Sequence, residues 1–570
     1  MHLWRRPVRE SAISGWAMLK RLFLSRSGQE RLALPGVVTL ILTIALGFAI
    51  TWYLGQRASS DEERASTLSK SDKFAPAETI YVRLLRERPT VPIVLAFLEN
   101  RELAIREKIH RRMLSRSANE DGLSQDGDMA ILDPAAVDAL LAGGLPPEVS
   151  LVARFWRGVQ MDAVPRTVRE QMVAGAKSEP PIPWHNHLLG REAEQEGALL
   201  EAADYYEREG LSFPDHASDI DVALEVWMHA DLWDHVRSRL QDARVWSAAG
   251  SMTKYRFAVH ERDWREAIWQ MLHHWTQRFQ GAGLWMSGVS ALAWGFMCAR
   301  LGKLGERPKF RLPLYLLAFG LGVLSVVPTI FLIAIEESLL RLVETGDVTR
   351  DLLYFIFGVG LREEASKALL FLPLVPLLRI LGDKRDKRGK FDKLDVLVAG
   401  ALVGLGFAAE ENMDYVAQGV LHTGLARFLT ANFLHMAMTG LFATALYEFL
   451  SDGERHASNF FRVSLFVVGL HGAYDFFLTH EEIGGSYLGM TVFFFLTKPF
   501  LDAVDAARGR ADKGITLLQA FVIAIAVVTG VTFVYATNAV GPQHAAITMG
   551  QGLLGVAILL FFFVRQLRAM

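Results

Sequence analysis

Of 570 residues, 51% are hydrophobic and the mean hydropathy is positive, which excludes an ordinary soluble chain and favours a membrane protein with soluble parts. The net charge of −2 is too near zero to suggest nucleic acid as a partner. The one cysteine, Cys298, excludes an intrachain disulfide and a Cys-rich metal knuckle; within an apolar run it is expected to be a packing residue.

Residues 1–33 form a basic segment with Arg5, Arg6, Arg9, Lys20, Arg21, Arg26 and Arg31. The apolar run that follows, within 34–56, is long enough to span, lies late and lacks a clear small-x-small cleavage site. It reads as an uncleaved signal anchor with the N-terminus in the cytoplasm. Residues 57–280 then fall outside the cytoplasm. Residues 114–150 read as linker or loop, and the sequence after about residue 190 has few Pro and Gly and a helical pattern. Three look-alike segments, aligned on Ala202, Val236 and Ala267, repeat at about the 34-residue period of tetratricopeptide helix pairs. As a repeat array the insert would offer an extracytoplasmic partner a concave face; an irregular helical domain is the other reading.

Nine more apolar runs follow, near 282–299, 312–335, 352–378, 395–418, 425–449, 461–479, 486–504, 515–537 and 545–564. Each approaches the ~20 residues needed to cross a bilayer, so about ten spans are expected. Lys498, Pro499 and Asp502 make the eighth the weakest, with Lys498 placed to snorkel. Positive charge alternates between short loops: Arg300 to Arg311, Arg379 to Lys393, Arg455/Arg462 and Arg508 to Lys513 fall on one side with Arg565 and Arg568, leaving the opposite loops nearly bare. That asymmetry puts both termini in the cytoplasm. The expected architecture is all-α and polytopic, with a membrane core at 281–505 and terminal helices at 506–570.

Ionisable residues in four of these spans carry the chemistry, since charge at bilayer depth is costly and usually functional. The fourth span holds Glu363, Glu364 and Lys367. Glu363 and Lys367 are i,i+4 and are expected to pair, while Glu364, about 100° round the helix, is expected to look elsewhere. The fifth span holds Gly404, Gly406, Glu410 and Glu411, with the glycines permitting close helix approach and either Glu411 or its neighbour Glu410 available as the active acid. The sixth carries His435, and the seventh His471 and Asp475 at i,i+4. Counted from the outer ends, Asp475 is about 4 residues in, Glu411 about 7, His471 about 8, His435 about 10 and Glu363 about 12, or roughly 6–18 Å at 1.5 Å per residue. Such groups at similar depth suit a buried hydrolytic site. A proton-coupled transporter also collects Glu and His, though no repeat between halves of the membrane region supports one. A non-catalytic scaffold is the third reading.

The segments Glu363-Glu364-Ala365-Ser366-Lys367, Phe407-Ala408-Ala409-Glu410-Glu411-Asn412, His435 and His471-Gly472-Ala473-Tyr474-Asp475, in this order over about 312–505, resemble the PrsW family of intramembrane proteases. The resemblance implies hydrolysis of peptide bonds in a membrane protein substrate within the lipid bilayer. It implies that Glu363 or Glu364 activates water, helped by Glu411. His471, Asp475 and His435 would position substrate or stabilise the oxyanion, and Lys367 would tune the acids. It also implies a role in regulated proteolysis of a membrane-bound regulator such as an anti-sigma factor. A divalent metal such as Zn²⁺ suits two Glu and two His, although the His-Glu-x-x-His spacing is absent.

Overall fold

The computed structural model describes residues 33–53, 59–117, 132–279, 281–336, 342–381, 391–417, 423–480, 483, 485–508 and 515–569. The basic N-terminal segment and most of the 379–393 charge cluster lie outside them. Among the described residues every extended element is helical, with no strand. They divide into two compact units, one of 33–53, 281–417 and 423–569, the other of 59–279.

In the first unit, six helices are long and apolar enough to cross a membrane: Leu34–Tyr53, Pro308–Ile333, Leu425–Asp452, Glu454–Thr479, Tyr487–Arg508 and Leu517–Val540. The pair Pro542–Gly555 and Ala557–Arg568, bent by 56°, adds a seventh if it is one span. The protein is thus an all-α, multi-pass membrane protein with about six such helices.

Helix Lys393–Ala417 is central, packed on Gly281–Leu301, Pro308–Leu324 and Ala431–Asp452. Small residues allow this. A Cβ at Gly404 would lie 2.6 Å from the His435 carbonyl carbon, and one at Gly406 would lie 2.7 Å from Val323 N. Trp294, Phe433, Phe493, Phe521 and Phe563 build an aromatic core beside it, where the Trp294 indole donates to Phe428 O at 2.6 Å. At one end of the central helix, buried Arg311 donates to Asp395 at 2.6 Å and Asp392 at 3.1 Å, and Tyr315 donates to Asp395 at 3.2 Å. Cys298 is a fully buried free thiol.

The run expected as one span at 352–378 is interrupted. It consists of Val348–Leu353, a wide π-type stretch Tyr354–Gly360, then Leu361–Phe371 and Leu374–Leu381, with Pro373 at the last break. Widened turns of this kind are frequent at functional sites.

The second unit is a series of helix hairpins. A residue in the left-handed region precedes the second helix at Asp72, Asp162, Gly197, Asp231 and Arg262. Each turn is closed by the same backbone bond, as in Ala198 N to Ala193 O, Leu232 N to Trp227 O and Asp263 N to Ala258 O. Ala202, Val236 and Ala267 each occupy the fourth position of a second helix, and all three are buried. The stretch 114–150 is not all linker. Helix Val91–Ser117 enters it, and Pro134–Ala142 is a helix capped by the Asp133 side chain, which accepts from Ala136 N at 2.8 Å.

Candidate functional site

The chain brings Glu363, Glu364, Lys367, Glu411, His435, His471 and Asp475 into one cluster within the first unit, from four helices. Lys367 lies at its centre, fully buried. Its Nζ donates to Glu364 at 2.7 Å and to His435 Nδ1 at 2.8 Å, with Glu363 at 3.5 Å, and lies 4.0 Å from the Phe407 ring centre. Positions i,i+3 and i,i+4 both neighbour a helical residue, and the long lysine side chain lies over both acids. The expectation that Glu364 turns away is therefore corrected, because Glu364 is the more deeply enclosed of the two. Its carboxylate also accepts from His471 Nδ1 at 3.0 Å and Thr439 Oγ1 at 3.3 Å. It is 1% exposed, against 12% for the Glu363 side chain. Among the described residues Glu363 meets Lys367 at 3.5 Å and His471 Nε2 at 3.4 Å.

His435 links this group to the central helix. Lys367 has only protons to offer, so His435 Nδ1 accepts and its Nε2–H donates to Glu411 Oε2 at 3.0 Å. Glu411, not its neighbour Glu410, makes that contact. Two residues for which the sequence suggests no role belong here: Thr439, and Arg427, whose Nη2 lies 3.0 Å from Glu411 Oε1. Thr439 is one helical turn beyond His435, a spacing that could have flagged it. Arg427 lies near the start of the sixth apolar run, 425–449, outside the motif segments.

Two features suit a cation. His471 donates through Nδ1 to Glu364, so a neutral ring turns the Nε2 lone pair toward Glu363 and Asp475 oxygens, each 3.4 Å away. Acceptors facing acceptors in a buried site require a proton or a metal ion between them. The charge count agrees: four carboxylates (Glu363, Glu364, Glu411, Asp475) against Lys367 and Arg427 leave two negative charges for a divalent ion or two protons to balance. Ligand atoms of Glu363, His435 and His471 lie within 4.8 Å of one another, and Glu364 behind His471 is the usual carboxylate support of a metal-binding imidazole. These residues fit a divalent metal, with His435 giving up one of its two present hydrogen bonds to bind it. A second grouping, Glu344, Asp351 and His480, is otherwise engaged, since Asp351 already accepts from Thr345 N, Thr345 Oγ1 and Gly346 N at 2.8–2.9 Å.

Residues 311–498 match the family described as PrsW family intramembrane metalloprotease. "Protease PrsW" of Clostridioides difficile (strain 630) is 27% identical over 189 residues, covering 32% of this chain and 76% of that protein. No solved structure matches. All the helices that supply the cluster lie within the matched stretch. Through residues 311–498, then, the chain is a PrsW-like intramembrane protease, a peptidase.

Proposed function

We propose that the cluster hydrolyses peptide bonds of membrane protein substrates, with Glu363 as general base and Glu364, Lys367, Glu411, His435, His471 and Asp475 as its supporting groups. The observation that carries this is the unequal saturation of the acids. Glu364 is held by three donors and Glu411 by two, whereas among the described residues Glu363 has only contacts of 3.4–3.5 Å and is the more accessible of the Glu363/Glu364 pair. A carboxylate so placed takes a proton from water as its oxygen bonds to the scissile carbonyl carbon, then passes that proton to the departing amine. The C–N bond breaks, leaving a carboxylate and an amine. Lys367 pairs with Glu364, Glu364 fixes the His471 ring, and His435 with His471 lines the position where the oxyanion develops.

A divalent metal, zinc for example, held by Glu363, His435 and His471 would polarise the carbonyl and acidify water. With it bound, Glu364, Glu411 and Lys367 would still orient the two imidazoles.

The substrate class we propose is a membrane-bound regulator of the anti-sigma-factor type. The accompanying topology is ten crossings, with helix Gly281–Leu301, the interrupted run through Leu361–Phe371 and helix Lys393–Ala417 completing the apolar set, and both termini in the cytoplasm. The hairpin series of 59–279 then lies outside as a tetratricopeptide-like surface for a partner protein. The recurring left-handed turns at Gly197, Asp231 and Arg262, 34 and 31 residues apart, support that reading.

The test compares membrane proteomes of cells making wild type or Glu363→Gln at equal levels. Membrane proteins should lose an extracytoplasmic segment only with wild type. Identical proteomes, with both proteins inserted, would defeat the reading, and ion flux dependent on Glu363 would replace it with transport.

A further inference from the structure

We propose that Arg427 is a positioning residue of this site, acting through Glu411 on His435; the inference rests on the peptidase reading above. Arg427 lies in the short helix Thr423–Leu429, outside the motif segments that mark the family. Its guanidinium grips two consecutive residues of the central helix. Nη2 meets Glu411 Oε1 at 3.0 Å, and Nε donates to Asn412 Oδ1. The guanidinium carbon sits 3.6 Å from the centre of the Tyr415 ring, so the fork is held face-on as well as at its edges.

Each end of this contact continues. Asn412 Nδ2 donates to Asn432 Oδ1 at 2.7 Å, and Asn432 Nδ2 donates to Ser290 Oγ at 2.6 Å, anchoring the fork to buried polar groups on two more helices. On the other side, Glu411 Oε2 accepts from His435 Nε2, and His435 Nδ1 accepts from Lys367. The two oxygens of Glu411 therefore have different partners, and the plane of the carboxylate is set by both. Without Arg427, Glu411 would keep one hydrogen bond and a free torsion, and His435 would lose a fixed acceptor. Only a planar fork serves Glu411 and Asn412 together, since a lysine supplies one point of charge. Asn412 thereby acquires a role as well, orienting the arginine that orients its neighbour.

The ordinary alternative is an ion pair that merely ties Thr423–Leu429 to the central helix. The two differ in what they couple to. The test uses the full-length protein in proteoliposomes with a single-pass reporter substrate. For Arg427→Gln, kcat should fall about 10–100-fold, the usual loss for a group orienting a site imidazole, with KM nearly unchanged. Arg427→Lys should recover part of that loss. The double variant Arg427→Gln/Glu411→Gln should be about as active as Glu411→Gln alone, because both changes cut the same link.

A double variant that shows the product of the two single losses overturns the proposal. So does Arg427→Gln that raises KM at unchanged kcat. If Arg427→Gln is not monodisperse, Arg427→Lys at wild-type melting temperature decides: unchanged kcat refutes the role, and reduced kcat sustains it. Glu363→Gln is run alongside. A wild-type protein that leaves the reporter uncut defeats the peptidase reading itself, while wild-type cleavage that is lost in Glu363→Gln and fully kept in Arg427→Gln defeats only the role of Arg427.

Discussion

Gly472 is the residue on which the geometry of the acid–imidazole pair most directly depends. It follows His471 on helix Glu454–Thr479 and lies against the π-type stretch that leads into Glu363. A Cβ on Gly472 would lie 2.5 Å from Ile356 N, with Ile356 Cα and Phe355 O closer still, and a Cβ on Gly360 would lie 2.6 Å from Val468 O. These neighbours are backbone and cannot swing aside. Restoring an ordinary contact of 3.4 Å from 2.5 Å requires the two helices to separate by about 1 Å. That shift falls on the His471–Glu364 bond of 3.0 Å and the His471–Glu363 approach of 3.4 Å. A misplacement of about 1 Å costs on the order of 100-fold in rate, and overpacking costs about 1–3 kcal/mol of stability. Gly472→Ala should therefore insert normally, melt somewhat lower and cleave a reporter substrate on the order of 100-fold more slowly. Gly469→Ala is the control on the same helix, because a Cβ there meets nothing within 4 Å. The assay is cleavage per unit of membrane-inserted protein. Wild-type cleavage by Gly472→Ala, or equal losses in both variants, would refute the reasoning.

Stripping divalent ions from the purified protein with a strong chelator should stop cleavage, and Zn²⁺ should restore it to wild type; cleavage indifferent to chelation would mean that protons balance the excess carboxylates instead. Arg311→Ala should destabilise the membrane unit by about 3–5 kcal/mol by leaving the fully buried Asp395 without its cation, read as a lower melting temperature in detergent, and an unchanged value would refute that role for the arginine. In the second unit, burial pushes His185 below the ordinary imidazole range, against a smaller opposite pull from its hydrogen bond to Met172 O and from Glu148 and Glu209. The folded chain then binds fewer protons there than the unfolded one, so this contribution is whole above about pH 6.5 and is lost as pH falls below it. Amide exchange in helices Arg166–Ala176 and His185–Gln195 should quicken on going from about pH 7.5 to pH 5, beyond the intrinsic change, and His185→Gln should abolish the difference; equal protection at both values would contradict it.

Much of the site is legible in the sequence because charge in an apolar run stands out and helical spacing is fixed. Five residues at similar depth on four helices come together as the spacing requires. What fails is rotation. The 100° step separates Glu364 from Glu363 on a helical wheel, but a lysine three residues from one and four from the other spans that angle with its own length. Asp133-Pro134 is a helix start within a stretch that looks like linker, and only the cap is needed to see it. The widened turn at 354–360 has no such mark; it lies where Gly360 and Gly472 pack closely across two helices. Arg427 is hidden for the same reason, since its partners are set by where the chain returns after residue 417.

The four acids divide by what surrounds them, and that division explains why so many are gathered. A lone carboxylate at this depth would take up a proton and lose its use as a base. Lys367 and Arg427 each pair with one acid, Glu364 and Glu411, and those two orient His471 and His435. Glu363 and Asp475 remain facing one imidazole nitrogen, with no cation among the described residues closer than the 3.5 Å contact of Glu363 to Lys367. The uncompensated charge is thus concentrated where the 12% exposure of Glu363 lets a water, a metal ion or a peptide carbonyl reach it. Replacing Glu364 or Glu411 should therefore disturb imidazole orientation and leave a basic acid in place, whereas replacing Glu363 removes the base. Glu364→Gln retaining weak cleavage beside an inert Glu363→Gln is the pattern this division requires, and the reverse pattern would exchange their roles.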